Sequence, residues 1–248
     1  MQNRYAGDVG DFGKYGLLRK LCGELPLSSL GVVWYLMSDE LGPDGRHIGY
    51  LESANAHEFQ DCDPKLYRAL QKVKVCREVA AIERSGVLGD AAFFSKPVDT
   101  GNREAWLREA LNAVAGRDLV FLDPDNGLEV KSTRLNWRRG GKFCGYEEMG
   151  KFLSAGASVV LYQHFNRSAR AEEQLTRLCR ELTGKVAPPL PPFALRFHRG
   201  TGRAFLVLPQ QRHAKRIQRG IKKLMASPWK RHFTRPECEI APLQDSAG

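Results

Sequence analysis

The chain has 248 residues, 42% of them hydrophobic, and carries a net charge of +10. That length suits one large domain, residues 1–248, with a proper core, and no run of about 18 apolar residues is present to span a membrane. Six cysteines without a C-x-x-C pair argue against a structural zinc site and a disulfide framework alike.

The first stretch, residues 4–22, begins as a glycine-rich loop and becomes a helix. Gly7, Gly10 and Gly13 allow close backbone approach to a ligand, Asp8 or Asp11 can cap the helix, and Lys14 lies in its first turn. Such an entry can hold a carboxylate or phosphate at a helix N-terminus, although it does not match the Walker spacing. The opening residues lack the apolar core of a signal peptide, and the chain reads as cytoplasmic. After a break at 26–29, residues 31–36 (Gly-Val-Val-Trp-Tyr-Leu) read as a strand running into an acid- and glycine-bearing loop that holds Asp39, Gly42 and Gly45. Residues 63–84 read as helix within a helical insertion spanning 52–90. A short strand at 91–95 ends near Pro97 and Asp99, and an amphipathic helix follows at 103–115.

Residues 119–122 (Leu-Val-Phe-Leu) form a continuous apolar run of the kind expected for a strand buried on both faces of a parallel sheet. It stops at Asp123-Pro124-Asp125-Asn126-Gly127, where proline and Asn-Gly force the backbone out of the sheet. Two carboxylates and an amide are thereby placed at the carboxyl end of a central strand, where open α/β sheets bind ligands. The plainer reading is a turn whose Asp and Asn bond their own backbone. Residues 131–142, polar and basic with Trp137 in their midst, have the length of a mobile substrate loop. A helix at 146–153 precedes a strand at 157–162 that ends in Gln163-His-Phe-Asn-Arg167, a third polar cluster at a carboxyl edge. His164 there reads equally well as structural or catalytic.

A helix at 169–182 and a proline linker at 186–192 lead to two strands, 193–198 and 204–208, joined as a hairpin. Residues 211–225 form a basic helix, and 226–248 read as an irregular tail. Twelve of the 38 Lys and Arg fall within residues 196–235, which hold no acid, leaving 26 bases against 28 acids elsewhere. A polyanion-binding face is the implied use, with a solvated basic segment as the bland alternative. Spacings of three and four align Arg212, Lys215, Arg216, Arg219 and Lys223 in one stripe, opposite a seam of Ile217, Ile221 and Leu224.

Alternating strands and helices closed by a C-terminal antiparallel hairpin resemble the α/β, Rossmann-like, mostly parallel sheet of class I S-adenosylmethionine-dependent methyltransferases. Residues 6–15, Ala-Gly-Asp-Val-Gly-Asp-Phe-Gly-Lys-Tyr, resemble the A-G-N-x-A-D-x-x-K-H opening of the methyltransferases that modify adenine N6 in 23S ribosomal RNA. Asp123-Pro124-Asp125-Asn126 resembles the D-P-P-Y motif of enzymes that methylate amino groups of nucleic acids. The resemblance implies that Gly7, Asp8, Asp11 and Lys14 line an S-adenosylmethionine pocket. It places the loop with Asp39, Gly42 and Gly45 at the methionine part and Asp99 at the ribose. Asp123 would accept hydrogen bonds from the exocyclic amine, with the Pro124 carbonyl helping to orient it, and the partner would be DNA or RNA. Asp125 and Asn126 depart from the motif, since they stand where a proline and a stacking aromatic are found; Phe165 or Trp137 could supply the stacking instead. Two other readings remain open from the residues. Asp123, Asp125 and Glu129, with His164, could hold a divalent cation in a nuclease or phosphotransferase. Alternatively, the basic segment alone could matter, in a nucleic-acid binder with a vestigial fold.

Overall fold

The computed structural model describes residues 1–25, 29–40, 45, 47–52, 54 and 56–236. Helix α1 (Val9–Cys22) precedes strand β1 (Leu30–Trp34); α2 (Ala56–Gln60), α3 (Pro64–Cys76) and α4 (Val79–Arg84) lead to β2 (Ala92–Phe94). Helix α5 (Arg103–Ala113) returns the chain to β3 (Leu119–Asp123), followed by two short strands, β4 (Gly127–Leu128) and β5 (Phe143–Cys144). Next come α6 (Tyr146–Ser154), β6 (Ser158–His164), α7 (Ala171–Val186), β7 (Phe193–Phe197), β8 (Arg203–Leu208), α8 (Ala214–Met225) and β9 (Phe233–Thr234).

Seven strands form one sheet in the order β2-β1-β3-β6-β8-β7-β9, and β4 pairs with β5 separately. Strands β2, β1, β3 and β6 are parallel, while β8 runs antiparallel to both β6 and β7. The methyltransferase-like sheet expected from the alternation of elements is therefore present. The chain leaves β1 outward to β2, then returns to β3 on the other side, so the strand order reverses between β1 and β3. Crevices at such switch points, beyond the strands' carboxyl ends, are where open α/β sheets take ligands.

The sheet is covered on both faces, which is why its central strands read as unbroken apolar runs. Val32, Phe121, Val160 and Phe205 face one core with Phe12, Leu17 and Leu18 of α1 and Ile217, Ile221 and Leu224 of α8. Val33, Val120, Leu122 and Leu161 face the other, against Trp106 of α5, Met149 and Phe152 of α6 and Leu175 of α7. Among the described residues no helix is long and apolar enough to cross a membrane.

Two expectations need correcting. The helix over 63–84 is two helices, broken where Arg77 adopts a left-handed conformation at φ 50° and directs its guanidinium to the carbonyls of Arg4 and Gly45. The tail from 226 has regular structure as far as Thr234: a 3-10 turn spans Pro228–Arg231 and β9 joins the sheet edge beside β7. Trp229 and Phe233 are fully buried there, so burial of two aromatics holds a segment that has no periodicity to announce it. Residues 237–248 lie outside the described set.

His232 completes this attachment. Its ring stacks on Phe59 at 4.9 Å, its Nδ1 accepts a hydrogen bond from Arg199 Nε at 2.9 Å, and it is fully buried. Burial, reinforced by the positive charges of Arg199 and Arg231, pushes its pKa down to about 4. The unfolded chain takes up a proton below about pH 6.5 and the folded chain does not until about 4. The contribution of His232 is therefore complete above pH 6.5 and is lost as pH falls toward 4. Urea unfolding at pH 7 and pH 5 should show a loss of about 2 kcal/mol from this group, absent in His232→Asn. Equal pH dependence in both proteins would contradict the assignment.

Candidate functional site

Helix α1 and strand β3 meet end to end at the carboxyl edge of the sheet. Asp8 caps α1, its side chain accepting from the Gly10 N–H at 2.9 Å and the His47 N–H at 3.1 Å. One turn on, Lys14 is buried, and its ammonium donates to Asp11 Oδ1 at 3.0 Å and Asp123 Oδ2 at 2.7 Å. The rings of Tyr15, Trp34, Phe121 and Tyr162 surround the ammonium at 5.6–5.9 Å. Burial alone would drive a lysine toward its neutral form. Here the two carboxylates outweigh burial, and the Lys14 pKa is raised. Burial and the neighbouring Asp123 charge push Asp11 upward, against the pull of Lys14 and the Gly7 N–H, which donates to Asp11 Oδ2 at 2.9 Å.

The turn after β3 is fastened from several sides. Asp125 points inward, 2.8 Å from the Met1 ammonium and 2.6 Å from Gln2 Nε2. Burial works against its charge, but the ammonium and Gln2 prevail and hold the carboxyl below its usual range. The Asn126 N–H donates to the Lys142 carbonyl at 2.9 Å. Gly127 has φ +101°, and a Cβ there would lie 2.3 Å from the Gln163 carboxamide, which accepts from the Leu128 N–H at 2.9 Å. Only glycine fits at that position, and Gln163 of β6 locks the turn to the next strand.

A cavity of about 270 Å³ opens over this turn. Asp8, Asp11 and Lys14 line it together with Asp123, Pro124, Asp125 and Asn126 of the turn. Tyr162 and His164 of β6, Thr201 and Arg203 of the hairpin, and Arg4, Glu40, Gly45, His47 and Lys142 line it as well. Arg203 is buried, lying 3.6 Å from Asp8 and donating to Thr201 Oγ1 at 2.7 Å. A Cβ at Gly10 would come within 1.4 Å of Arg203 Nη1. Gly13 and Gly16 similarly make room for the rings of Phe197 and Trp229. The close approach that these glycines permit is to the protein's own side chains, and Arg203 is the one that carries it to the cavity.

The structure gathers all four turn residues with Asp8, Asp11, Lys14 and Gly45 around one cavity. It does not bring Asp99 there: that carboxylate is exposed and accepts from the N–H groups of Gly101 and Asn102. Gly7 backs on α3, and Asp39, which does not line the cavity, accepts from the N–H of Arg4, which does, at 3.2 Å. Gly42 lies outside the described residues. The metal reading loses its geometry, because Glu129 turns away to accept from the Tyr146 N–H, and among the described residues no three His, Cys, Asp or Glu converge as ligands. Residues 131–142 are fastened as well: Arg103, paired with Glu148, donates to the carbonyls of Gly140 and Phe143. The only local sign of Arg203 in the sequence is a single arginine opening an apolar strand.

The basic stripe of α8 sits at the opposite edge. Arg212 donates to the Gly156 carbonyl and lies 3.8 Å from Asp118, residues that precede β6 and β3. Arg219 and Lys223 both pair with Glu24, just past α1. The Ile217, Ile221 and Leu224 seam is buried as expected, and none of the stripe lines the cavity. Comparison with protein-family models, curated proteins and solved structures found no match for this chain.

Replacing Lys14 by methionine leaves Asp11 and Asp123 buried without their cation. Lys14→Met should cost about 3–5 kcal/mol in urea unfolding at neutral pH, and adding Asp123→Asn should recover part of that loss. A cost below about 1 kcal/mol, the range of an exposed pair, would contradict the buried bridge.

Proposed function

We propose that the chain is an S-adenosylmethionine-dependent methyltransferase acting on an exocyclic amine of a nucleic-acid base, with adenine N6 as the acceptor. The supporting observation is the position of Asp123. It ends β3 at the switch point of a methyltransferase-like sheet, lines a cavity, and is oriented by Lys14 at 2.7 Å. Topology alone does not assign chemistry, whereas this carboxylate and the residues around it suit a particular one.

The cavity walls fit the charges of the proposed cofactor. Asp11, Lys14 and Asp123 contribute two carboxyls and one ammonium, so with both acids ionised the cluster is net negative beside the open space. Asp8 and Arg203 offer one group of each sign to the ammonium and carboxylate of an amino-acid moiety. The bound cofactor supplies an electrophilic methyl group on a sulfonium. The protein's part is to hold an amine with its lone pair in line, and positioning of this kind accounts for much of the rate in such transfers. Asp123 accepts a hydrogen bond from the amine, and the Pro124 carbonyl takes the second N–H. Gln163 and Lys14 keep both acceptors from drifting, because they fix the two ends of the turn. His164 of β6 also lines the cavity, which suits a role beside one face of an entering base.

Titration calorimetry with S-adenosylhomocysteine should register binding, and Lys14→Met should weaken it. Methyl incorporation into unmethylated RNA or DNA should continue in EDTA and fall by about 100-fold or more in Asp123→Asn. No heat with the folded wild type, together with no incorporation into either nucleic acid, would overturn the proposal.

A further inference from the structure

Residues 131–142 hold Lys131, Arg134, Arg138, Arg139 and Lys142 and no acid. Lys142 pairs with Glu40 and lines the cavity. Among the described residues the other four, all exposed, make no ion pair, whereas α8 commits Arg219 and Lys223 to Glu24. Trp137 stands among them with half its surface exposed (51%), and the Arg134 guanidinium lies 5.6 Å from its ring centre. The remaining tryptophans, Trp34, Trp106 and Trp229, are buried. An indole left in water on a cationic loop forgoes the burial that an aromatic of its size normally finds.

The backbone beneath these side chains is fastened to the catalytic edge. Gly140 and Gly141 are buried, and a Cβ on Gly141 would lie 2.4 Å from the Met37 sulfur just beyond β1. Arg103 holds the Gly140 and Phe143 carbonyls, and the Asn126 N–H bonds the Lys142 carbonyl. The cationic and aromatic groups are thus presented from a platform bonded directly to the Asp123 turn.

We propose that this loop is a binding surface for single-stranded nucleic acid, with Lys131, Arg134, Arg138 and Arg139 on phosphates and Trp137 stacked on a base. Stacking on an indole suits any unpaired base, and a positive track holds the backbone. A paired base offers no face to Trp137, so a duplex gains only the phosphate contacts. An acidic protein would match the charge but leave the indole unused. The proposal deepens the reading above by naming the surface that delivers the polynucleotide; its test contains no cofactor, so the two can fail separately.

The probe is a fluorescein-labelled 20-nucleotide single strand, as RNA and as DNA, followed by anisotropy at 50 and 200 mM KCl. Arg134→Glu/Arg138→Glu/Arg139→Glu should weaken binding by at least about tenfold and flatten the salt slope by about 2. Trp137→Ala should weaken it by about tenfold. The matching α8 variant, Lys215→Glu/Arg216→Glu/Lys222→Glu, should bind within about twofold of wild type. Unlabelled strand should quench tryptophan emission in the wild type and not in Trp137→Phe, because the other three indoles are buried. These substitutions are at exposed positions, so unchanged melting curves confirm that binding rather than folding has been altered. Wild-type affinity in the loop variants, loss through α8 instead, or quenching that survives Trp137→Phe would overturn the proposal. Displacement of the strand by polyglutamate as readily as by unlabelled strand would also overturn it, in favour of an acidic protein. Intact strand binding without cofactor binding would remove the methyltransferase reading and leave this surface standing.

Discussion

Lys14 has to remain charged although almost all of its surface is buried, and much of the molecule follows from that requirement. A lone buried ammonium is costly, so two carboxylates must meet it, one from its own helix and one from the end of β3. That need sets the approach of α1 to the sheet to within a hydrogen bond. The glycines at 10, 13 and 16 let the helix come so close, because larger residues would strike Arg203, Phe197 and Trp229. Trp229 belongs to the C-terminal segment, so the packing that seats the helix also draws the chain's later residues back onto it. The result is a turn whose functional groups are held by contacts from α1, β6 and the loop before β5.

The two edges of the sheet do different work. The carboxyl edge carries the cavity and the cations of 131–142, of which Lys131, Arg134, Arg138 and Arg139 form no ion pair among the described residues. The amino edge carries a cluster in which Ser158 Oγ lies 2.9 Å from His213 Nδ1 and His213 Nε2 lies 3.1 Å from Asp118. Its residue types match a nucleophile, a base and an acid. Ser158 is fully buried, however, and its oxygen already accepts from the Gln210 N–H, so the cluster is a buckle joining the start of α8 to the starts of β3 and β6. Part of the basic excess at 196–235 is likewise structural: Arg203 supports Asp8, Arg199 supports His232, and Arg212, Arg219 and Lys223 hold α8 to its neighbours. A local count of charge does not distinguish such roles from a surface that awaits a partner.

What could be read in the sequence was what is written locally. The apolar run ending in Asp-Pro marks β3 and its exit, because burial on both faces and a missing N–H are properties of adjacent residues. The Gly-Asp-Val-Gly-Asp-Phe-Gly-Lys stretch marks a helix start bearing a lysine. Its partner Asp123 lies 109 residues away, a pairing without any local trace. Gln163 shows in the sequence only as part of a polar strand end, and the partners of Gln163 and Arg203 leave no local trace, because each acts on a residue far along the chain. Asp99 shows the limit of position along the chain as a guide: a strand-end acid suits a ribose in principle, and this one accepts from the backbone N–H groups that lead into α5. The tail misled because β9 has only two residues, too few to show a period.

Nitrogen-15 NMR of lysine-labelled protein observes the Lys14 ammonium itself. One lysine signal, absent from Lys14→Arg, should stay protonated at about pH 11, where an ordinary lysine with a pKa near 10.4 has mostly lost its proton. Asp123→Asn should bring that signal's titration downward, since one of its two carboxylates has gone. A Lys14 signal that titrates at or below the ordinary value in the folded wild type would contradict the buried bridge and the site built upon it.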